Sequence, residues 1–542
     1  MSGPFRPILI AIAVVFTLGS CSRMGDFARR QADRDVGRLI SDKQAAALGA
    51  DHQAFEPDPA KPDVLKLVER ARRLNLADDA FTTPTYRLSL ADALAIAISN
   101  NRDYRTEREK LYATALALTG VRWDYGTIFN ASASADYTRD GSGEGIEEIG
   151  RRGFTAGLRR QLATGANITV AYTHQFLHVF SRGGRTGAAN TLQFGIVQPL
   201  LNGAGSLTAR EPLRQSERDM VYAVRNFALY EQDFVIDAVS RYCALLKLLD
   251  RMHNARANYE SVMKYYELLQ IQVRHRVRSQ LDADQALQQA LVAESIWVDA
   301  QAAYQSQLEQ FKIFLGVDLD LDLGPDWREL DDIRASSEIR PALSLAQSID
   351  SGLANRLELR NARDREGDAR RHVEIALRNF LPTLDARYDA GFGDQSRHGL
   401  GLGSFDSVQT VGFDFILPLD WTPRRNAYRA DLIGLDQARR NAELQRDQIV
   451  ADIREAWREL GRLSQQVRIA RDSVALVQRR VEGTQMMLAN GLTTAREMTD
   501  TQDELFEAQN DLTMVLIQHM LARLKFWRAI GNMKLTNHGN GR

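Results

Sequence analysis

Two hydrophobic periods take turns along this chain. Stepping by fours and threes, Val224, Ala228, Glu231, Val235, Ala238, Tyr242, Leu245, Leu249, Met252, Arg256, Tyr259, Met263, Tyr266, Gln270 and Val273 form a stripe in which twelve of fifteen positions are apolar. A second stripe, Ile449, Ile453, Ala456, Leu460, Leu463, Val467, Ala470, Val474, Val477, Val481, Thr484 and Leu488, has one exception in twelve. Heptads held this long predict very long helices that seek a partner along their whole length. Ahead of each stripe the period changes to two. Phe129, Ala131, Ala133, Ala135 and Tyr137 alternate with Asn130, Ser132, Ser134, Asp136 and Thr138. Leu384, Ala386, Tyr388, Ala390 and Phe392 alternate in the same way with Thr383, Asp385, Arg387, Asp389 and Gly391. A strand with one apolar and one polar face has this pattern, whether it stands in a transmembrane barrel or half-buried in a soluble sheet.

The two sets are copies of one unit. Leu88-Ser89-Leu90-Ala91-Asp92-Ala93-Leu94 returns as Leu343-Ser344-Leu345-Ala346-Gln347-Ser348-Ile349, a shift of 255 positions that also relates Asn100 to Asn355 and Phe129 to Leu384. Each copy opens with a helix, from a Ser89 cap to about Tyr125 in the first. A second strand closes each strand set, at Leu192, Phe194 and Ile196 before Gln198-Pro199-Leu200, and at Phe413, Phe415 and Leu417 before Pro418-Leu419. Two principal strands per repeat make four in all, too few to close a barrel within one chain. The first repeat carries 36 extra residues with a hairpin signature, Phe154–Leu158 and Ile168–Tyr172 flanking Thr164-Gly165-Ala166-Asn167. This insertion is expected to project outward rather than add to the sheet. Each long helix is followed by a turn and a shorter helix, about 281–315 and 495–530, which is expected to stack end to end with the opening helix.

Composition sets the compartment and excludes some partners. Arg6 precedes an apolar run from Ile8 to Leu18, too short to span a membrane comfortably and ending in small residues, as a secretory signal does. Leu18-Gly19-Ser20-Cys21 is similar to a bacterial lipobox, so Cys21 is the expected lipidation site, with Ser22 after it matching an outer-membrane address. The expected layout is a signal peptide over 1–20, a lipidated periplasmic leader over 21–87, a first repeat over 88–340, a second over 341–531, and a tail over 532–542. Basic and acidic residues balance, 69 against 70, which gives no footprint for nucleic acid. Of the two cysteines, Cys243 lies in an apolar helical pattern and is expected to be core. No metalloprotease, phosphate-loop or paired-cysteine motif occurs, so no cofactor, metal or catalytic residue is expected. His174 and His178 are read as strand surface, and Gly399–Gly403 as a turn.

Several motifs in order carry a family resemblance. They are the Leu-Ser-Leu-x-x-Ala-Leu opener followed by Asn100-Asn101, Gln198-Pro199-Leu200 with Gly203, and Gly491-Leu492-Thr493-Thr494 leading into a helix. Phe314-Leu315-Gly316 and Ala529-Ile530-Gly531 close the two repeats. Between Leu88 and about Gly531 the chain resembles the TolC-like outer-membrane efflux family. The resemblance implies a homotrimer whose shared outer-membrane β-barrel continues into an α-helical coiled-coil tunnel in the periplasm. It implies a passive duct meeting a periplasmic adaptor (membrane fusion) protein and an inner-membrane transporter of the RND, ABC or MFS type. The adaptor-contact tips would be Val277, Ser279 and Leu281 in the first repeat, and Gly491, Leu492, Thr493 and Thr494 in the second. Arg276 stands where the first repeat would have the counterpart of Gly491. Glu497 and Asp500, with Asp282 as the first-repeat counterpart of Glu497, would line the tunnel constriction. A periplasmic coiled-coil scaffold without channel activity is the competing class.

Overall fold

The computed structural model describes residues 6–49, 86–140, 147–179, 186–335, 343–396, 406–489 and 492–533. Most of the expected leader and of the expected tail, the Gly399–Gly403 turn and Gly491 lie outside the described residues. Two compact units are formed, one from residues 1–57, 110–225 and 361–443, the other from 58–109, 226–360 and 444–542.

The first unit holds the sheet. Its strands are β2 (Thr127–Asp140), β3 (Glu147–Gln161), β4 (Asn167–Val179), β5 (Thr186–Pro199), β7 (Thr383–Ser396) and β8 (Asp406–Ile416), in the order β2-β3-β4-β5-β7-β8, antiparallel throughout. Here the structure corrects the sequence reading twice. Among the described residues the sheet has six strands, not four. The 36-residue insertion does not project outward, because β3 and β4 are bonded between β2 and β5 along their length. The expected hairpin turn is present: Gly165, at φ +93, lets Leu162 and Ala166 close it. Strand β5 ends on Pro199, where no ladder donor is required.

Helix α1 (Arg6–Leu48) belongs to the same unit and runs without a break through Cys21. It buries Val36, Leu39 and Ile40, and its Asp33 accepts a 2.6 Å bond from the Tyr112 hydroxyl. No described helix is long and apolar enough to cross a membrane.

The second unit is helical and shows the duplication in detail. Ser89 caps α2 (Leu90–Asn100) by accepting from Asp92 N–H, and Ser344 caps α8 (Leu345–Asn355) by accepting from Gln347 N–H. Both opening helices then break at one equivalent position. Extended backbone at Asn101 and Arg356 separates α2 from α3 (Arg102–Asp124) and α8 from α9 (Leu357–Arg378). The closing helices, α6 (Gln280–Leu315) and α11 (Ala495–Ala529), end at these breaks. Gly316 and Gly531 both have positive φ, and a Cβ on either would collide with Asn100 or Asn355 respectively. Asn101, buried, donates to the Phe314 carbonyl at 2.8 Å and accepts from Tyr104 N–H at 2.9 Å. One amide side chain therefore caps α6 and starts α3, and the short helices meet end to end as expected.

The long helices are α5 (Glu211–Arg274), preceded by one turn, α4 (Ser206–Ala209), and α10 (Thr422–Ala489). The α10 stripe holds throughout, with Ile449, Ile453, Leu460, Leu463, Val467 and Val481 buried. Its core partners include Phe526 and Ile530, and Gly352 lets α8 approach Ile453. The α5 stripe drifts. Val224 to Met252 are mostly buried as expected, but beyond them the buried row is Ala255, Asn258, Val262, Tyr265 and Leu269, one position earlier than the heptad extrapolation. A step of three from Met252 to Ala255 replaces the expected step of four, so every later buried position comes one residue early. A short parallel pair, β1 (Tyr86–Leu88) with β6 (Leu323–Pro325), is followed by α7 (Arg328–Ala335). Cys243 is buried.

Glu231, a polar exception in the α5 stripe, accepts a 2.7 Å bond from the Tyr104 hydroxyl, and burial pushes its carboxyl above the usual range. With the folded pKa raised, stability is greatest below the unfolded pKa. It declines as pH rises, because the unfolded state releases the proton first, and levels off above the folded pKa. Glu231→Gln keeps the acceptor without the charge. Its thermal unfolding midpoint is expected to exceed that of the parent at neutral pH and to converge with it in acid, measured by circular dichroism across a pH series.

Candidate functional site: a two-faced sheet and paired helical tips

Strand alternation gives the sheet two chemically opposite faces. In register across one level of one face lie Phe129, Leu158, Val170, Phe194 and Ala390. On the same face Phe413 and Phe415 of β8 stand opposite Ala386 and Leu384. The other face carries Ser132, Thr155, Thr173, Thr191 and Gly393 at a single level. Arg387 on that face pairs with Asp389 at 3.2 Å and with Asp414 at 3.6 Å. The apolar row is large and exposed at Phe129, Val411, Phe413 and Phe415. In water such a face is costly, and it calls for lipid or another protein surface.

Three polar exceptions on the apolar face meet at one amide oxygen. The buried Asn190 accepts from the Tyr172 hydroxyl at 3.0 Å and contacts His174 Nδ1 at 2.7 Å. His174 and His178 both lie in β4, and no cluster of His, Cys, Asp and Glu able to share a metal ion occurs among the described residues.

The sequence reading missed β3 and β4 as sheet members. Its signal was available: Phe154, Ala156 and Leu158 share the apolar face, while Thr155, Gly157 and Arg159 share the polar one.

The second feature is the pair of helical turns in the other unit. At the end of α5, Arg276 N–H bonds the Val273 carbonyl and Val277 N–H bonds the Gln272 carbonyl, both at 2.9 Å. This double closure requires a left-handed residue between them. Arg276 takes that role at φ +60 and is the one described non-glycine residue with positive φ. In the second repeat Leu492 N–H makes the matching bond to the Met487 carbonyl, with Gly491 at the place of Arg276. Ser279 then caps α6 and Thr494 caps α11. Arg278 reaches the Thr493 carbonyl at 3.5 Å, which brings the two turns together. Val277, Leu281 and Leu492 are 69%, 65% and 76% exposed there, an apolar presentation that water does not favour.

The acidic residues expected at the constriction sit just inside these turns. Asp282 is part of a capping box with Ser279, accepting from its N–H at 3.2 Å and its hydroxyl at 3.0 Å. Glu497 accepts from the Thr493 hydroxyl at 2.5 Å, and Asp500 lies 3.9 Å from Arg496, both acids exposed on the first two turns of α11. The helix N-termini favour these carboxylates.

Arg276→Gly should remove the left-handed penalty, leaving a net gain of about 0.5–1 kcal/mol after the entropy of glycine is counted. Hydrogen exchange at the Val277 amide is expected to slow about two- to fivefold. Arg276→Val should speed it.

Comparison with known proteins agrees with this geometry. Residues 348–532 match the model of the outer membrane efflux protein family. The structure is similar to CusC, a transmembrane channel (TM-score 0.62, 13% identity, covering 85% of this chain and 96% of that one). It is similar also to the outer membrane protein VceC of Vibrio cholerae (0.59, 16%, 82% and 96%). The outer membrane channel CmeC of Campylobacter jejuni is a third (0.58, 14%, 82% and 85%). Among curated proteins none matches the chain in sequence. The matched family is one of channels and not of enzymes. The second repeat is thus similar in sequence to the outer membrane efflux protein family, and over most of the chain the fold is similar to that of the solved outer-membrane channels.

Proposed function

We propose that the protein is the outer-membrane channel of a tripartite export system, a passive duct made by three copies and extending into the periplasm. The two-faced sheet carries this reading. One face suits lipid and the other water, and among the described residues no strand pairs with the outer edge of β2 or of β8. Backbone groups at those edges cannot face hydrocarbon, so copies must join there. The paired tips supply the surface for a periplasmic adaptor, with Val277, Ser279, Leu281, Leu492, Thr493 and Thr494 as contacts and Gly491 beside them. The adaptor would link the channel to an inner-membrane pump of the RND, ABC or MFS type, and the pump would choose the cargo. Lipidation at Cys21 would add an anchor to the outer membrane. Glu497, Asp500 and Asp282 from three copies would gather carboxylates at one mouth and favour cations.

Outer-membrane fractions are expected to contain heat-modifiable trimers that conduct ions in planar bilayers. A water-soluble monomer, purified without detergent, would overturn the channel in favour of a periplasmic scaffold. The acidic mouth has its own test: Glu497→Gln with Asp500→Asn should lower the cation-to-anion permeability ratio several-fold while trimers persist. An unchanged ratio would remove these residues from the constriction.

A further inference from the structure

We infer that the β3–β4 hairpin is a length of barrel wall, so that the closed ring contains six strands from each copy and eighteen from three. The inference rests on the channel reading above. Three observations carry it. The hairpin strands are as long as their neighbours, 15 and 13 residues against 14 in each of β2, β5 and β7. They lie between β2 and β5, which do not pair with each other, so removing the hairpin from the wall would break every ladder bond on its two flanks. Their side chains extend both faces, Leu158, Phe154, Val170 and Phe176 with the apolar rows, Thr155, Thr169 and Thr173 with the polar rows, although Arg152 and His174 interrupt the apolar one.

The two outer edges also suit one another. Strands β2 and β8 run in opposite directions, since every neighbouring pair between them is antiparallel. Joining β8 of one copy to β2 of the next therefore makes an antiparallel seam. It also keeps Phe413 and Phe415 on the same face as Phe129 and Ala131. The partner these edges fit is a second copy of this chain, added head to tail until the ring closes.

Barrel diameter grows roughly linearly with strand number, so eighteen strands give a bore about half as wide again as twelve. A ring of this size leaves a water-filled channel instead of one filled by its own side chains. Small residues on the polar face agree with that. Gly153 and Gly195 lie beneath the neighbouring Ser134, Thr169 and Asp389 side chains, within 2.8–3.1 Å of where a Cβ would stand. The wall there is thin and polar.

The test is strand counting by electron cryomicroscopy of the full-length protein in lipid nanodiscs, beside a variant lacking residues 147–179. The expected result is eighteen strands in the parent ring and twelve in the variant, a loss of six, with trimers in both. A twelve-stranded parent ring with the hairpin outside the wall or folded into the bore overturns the inference and leaves the channel reading intact. Absence of any membrane-embedded ring overturns both. If the deletion does not assemble, two cysteine pairs decide. Ser132→Cys with Thr155→Cys, and Thr173→Cys with Thr191→Cys, stand opposite one another across β2–β3 and β4–β5. Both pairs are expected to form intrachain disulfides in the assembled trimer, and failure of either to form there overturns the inference.

Discussion

Unpaired backbone at the two ends of one sheet is the constraint on which the molecule turns. An antiparallel sheet with an apolar face can settle in a bilayer only if every N–H and C=O along its margins is bonded. Among the described residues nothing in the chain covers β2 or β8. The segregation of faces then fixes which way round copies must stand, because a reversed neighbour would put Phe129 and Phe415 into water. Assembly is thus written into the edges, and the side chains choose its hand.

The helical unit solves a different problem by using one device twice. A long helix needs a companion of similar length, and each repeat builds that companion from shorter pieces whose ends meet. Those meetings expose helix-terminal carbonyls and amides that must be satisfied. Asn101 does so with both ends of its amide, and in the second repeat Arg356 stands at that place, bonded to Asp452 at 3.0 Å and Glu358 at 2.8 Å. Gly316 and Gly531 allow the close approach in both. The architecture is repeated while the chemistry of the joint has changed from a neutral amide to an ion pair.

Much of this was legible before any coordinates. Heptads gave the long helices, the serine caps gave the repeat starts, and alternation gave β2, β5, β7 and β8. What failed has physical reasons. Strand β3 reads Glu-Glu-Ile-Gly-Arg-Arg-Gly-Phe-Thr-Ala-Gly-Leu-Arg-Arg-Gln, and its adjacent arginine pairs place a charge on each face and blur the period. Comparison of the repeats compounds the error, because the inserted hairpin has no counterpart in the second copy. The shift of the α5 stripe escapes for a simpler reason: a heptad template carries no change of step, and the buried row steps by three from Met252 to Ala255. At the tips, sequence alignment flagged Arg276 as a departure, yet only backbone geometry shows that the turn demands a left-handed residue whatever its identity. The acidic candidates could be located but not their partners, so Asp282 in its capping box was unforeseen.

A hairpin always adds strands in twos, and the insertion in the first repeat obeys that rule. The chain still leaves the sheet on the side where it entered, so the helices that follow need no rerouting. An odd increment would send it out on the far side and make the joint between copies parallel. Within this parity, girth becomes a quantity that evolution can adjust by duplicating or losing one turn and its two flanks. The helical columns and their tips need not change with it.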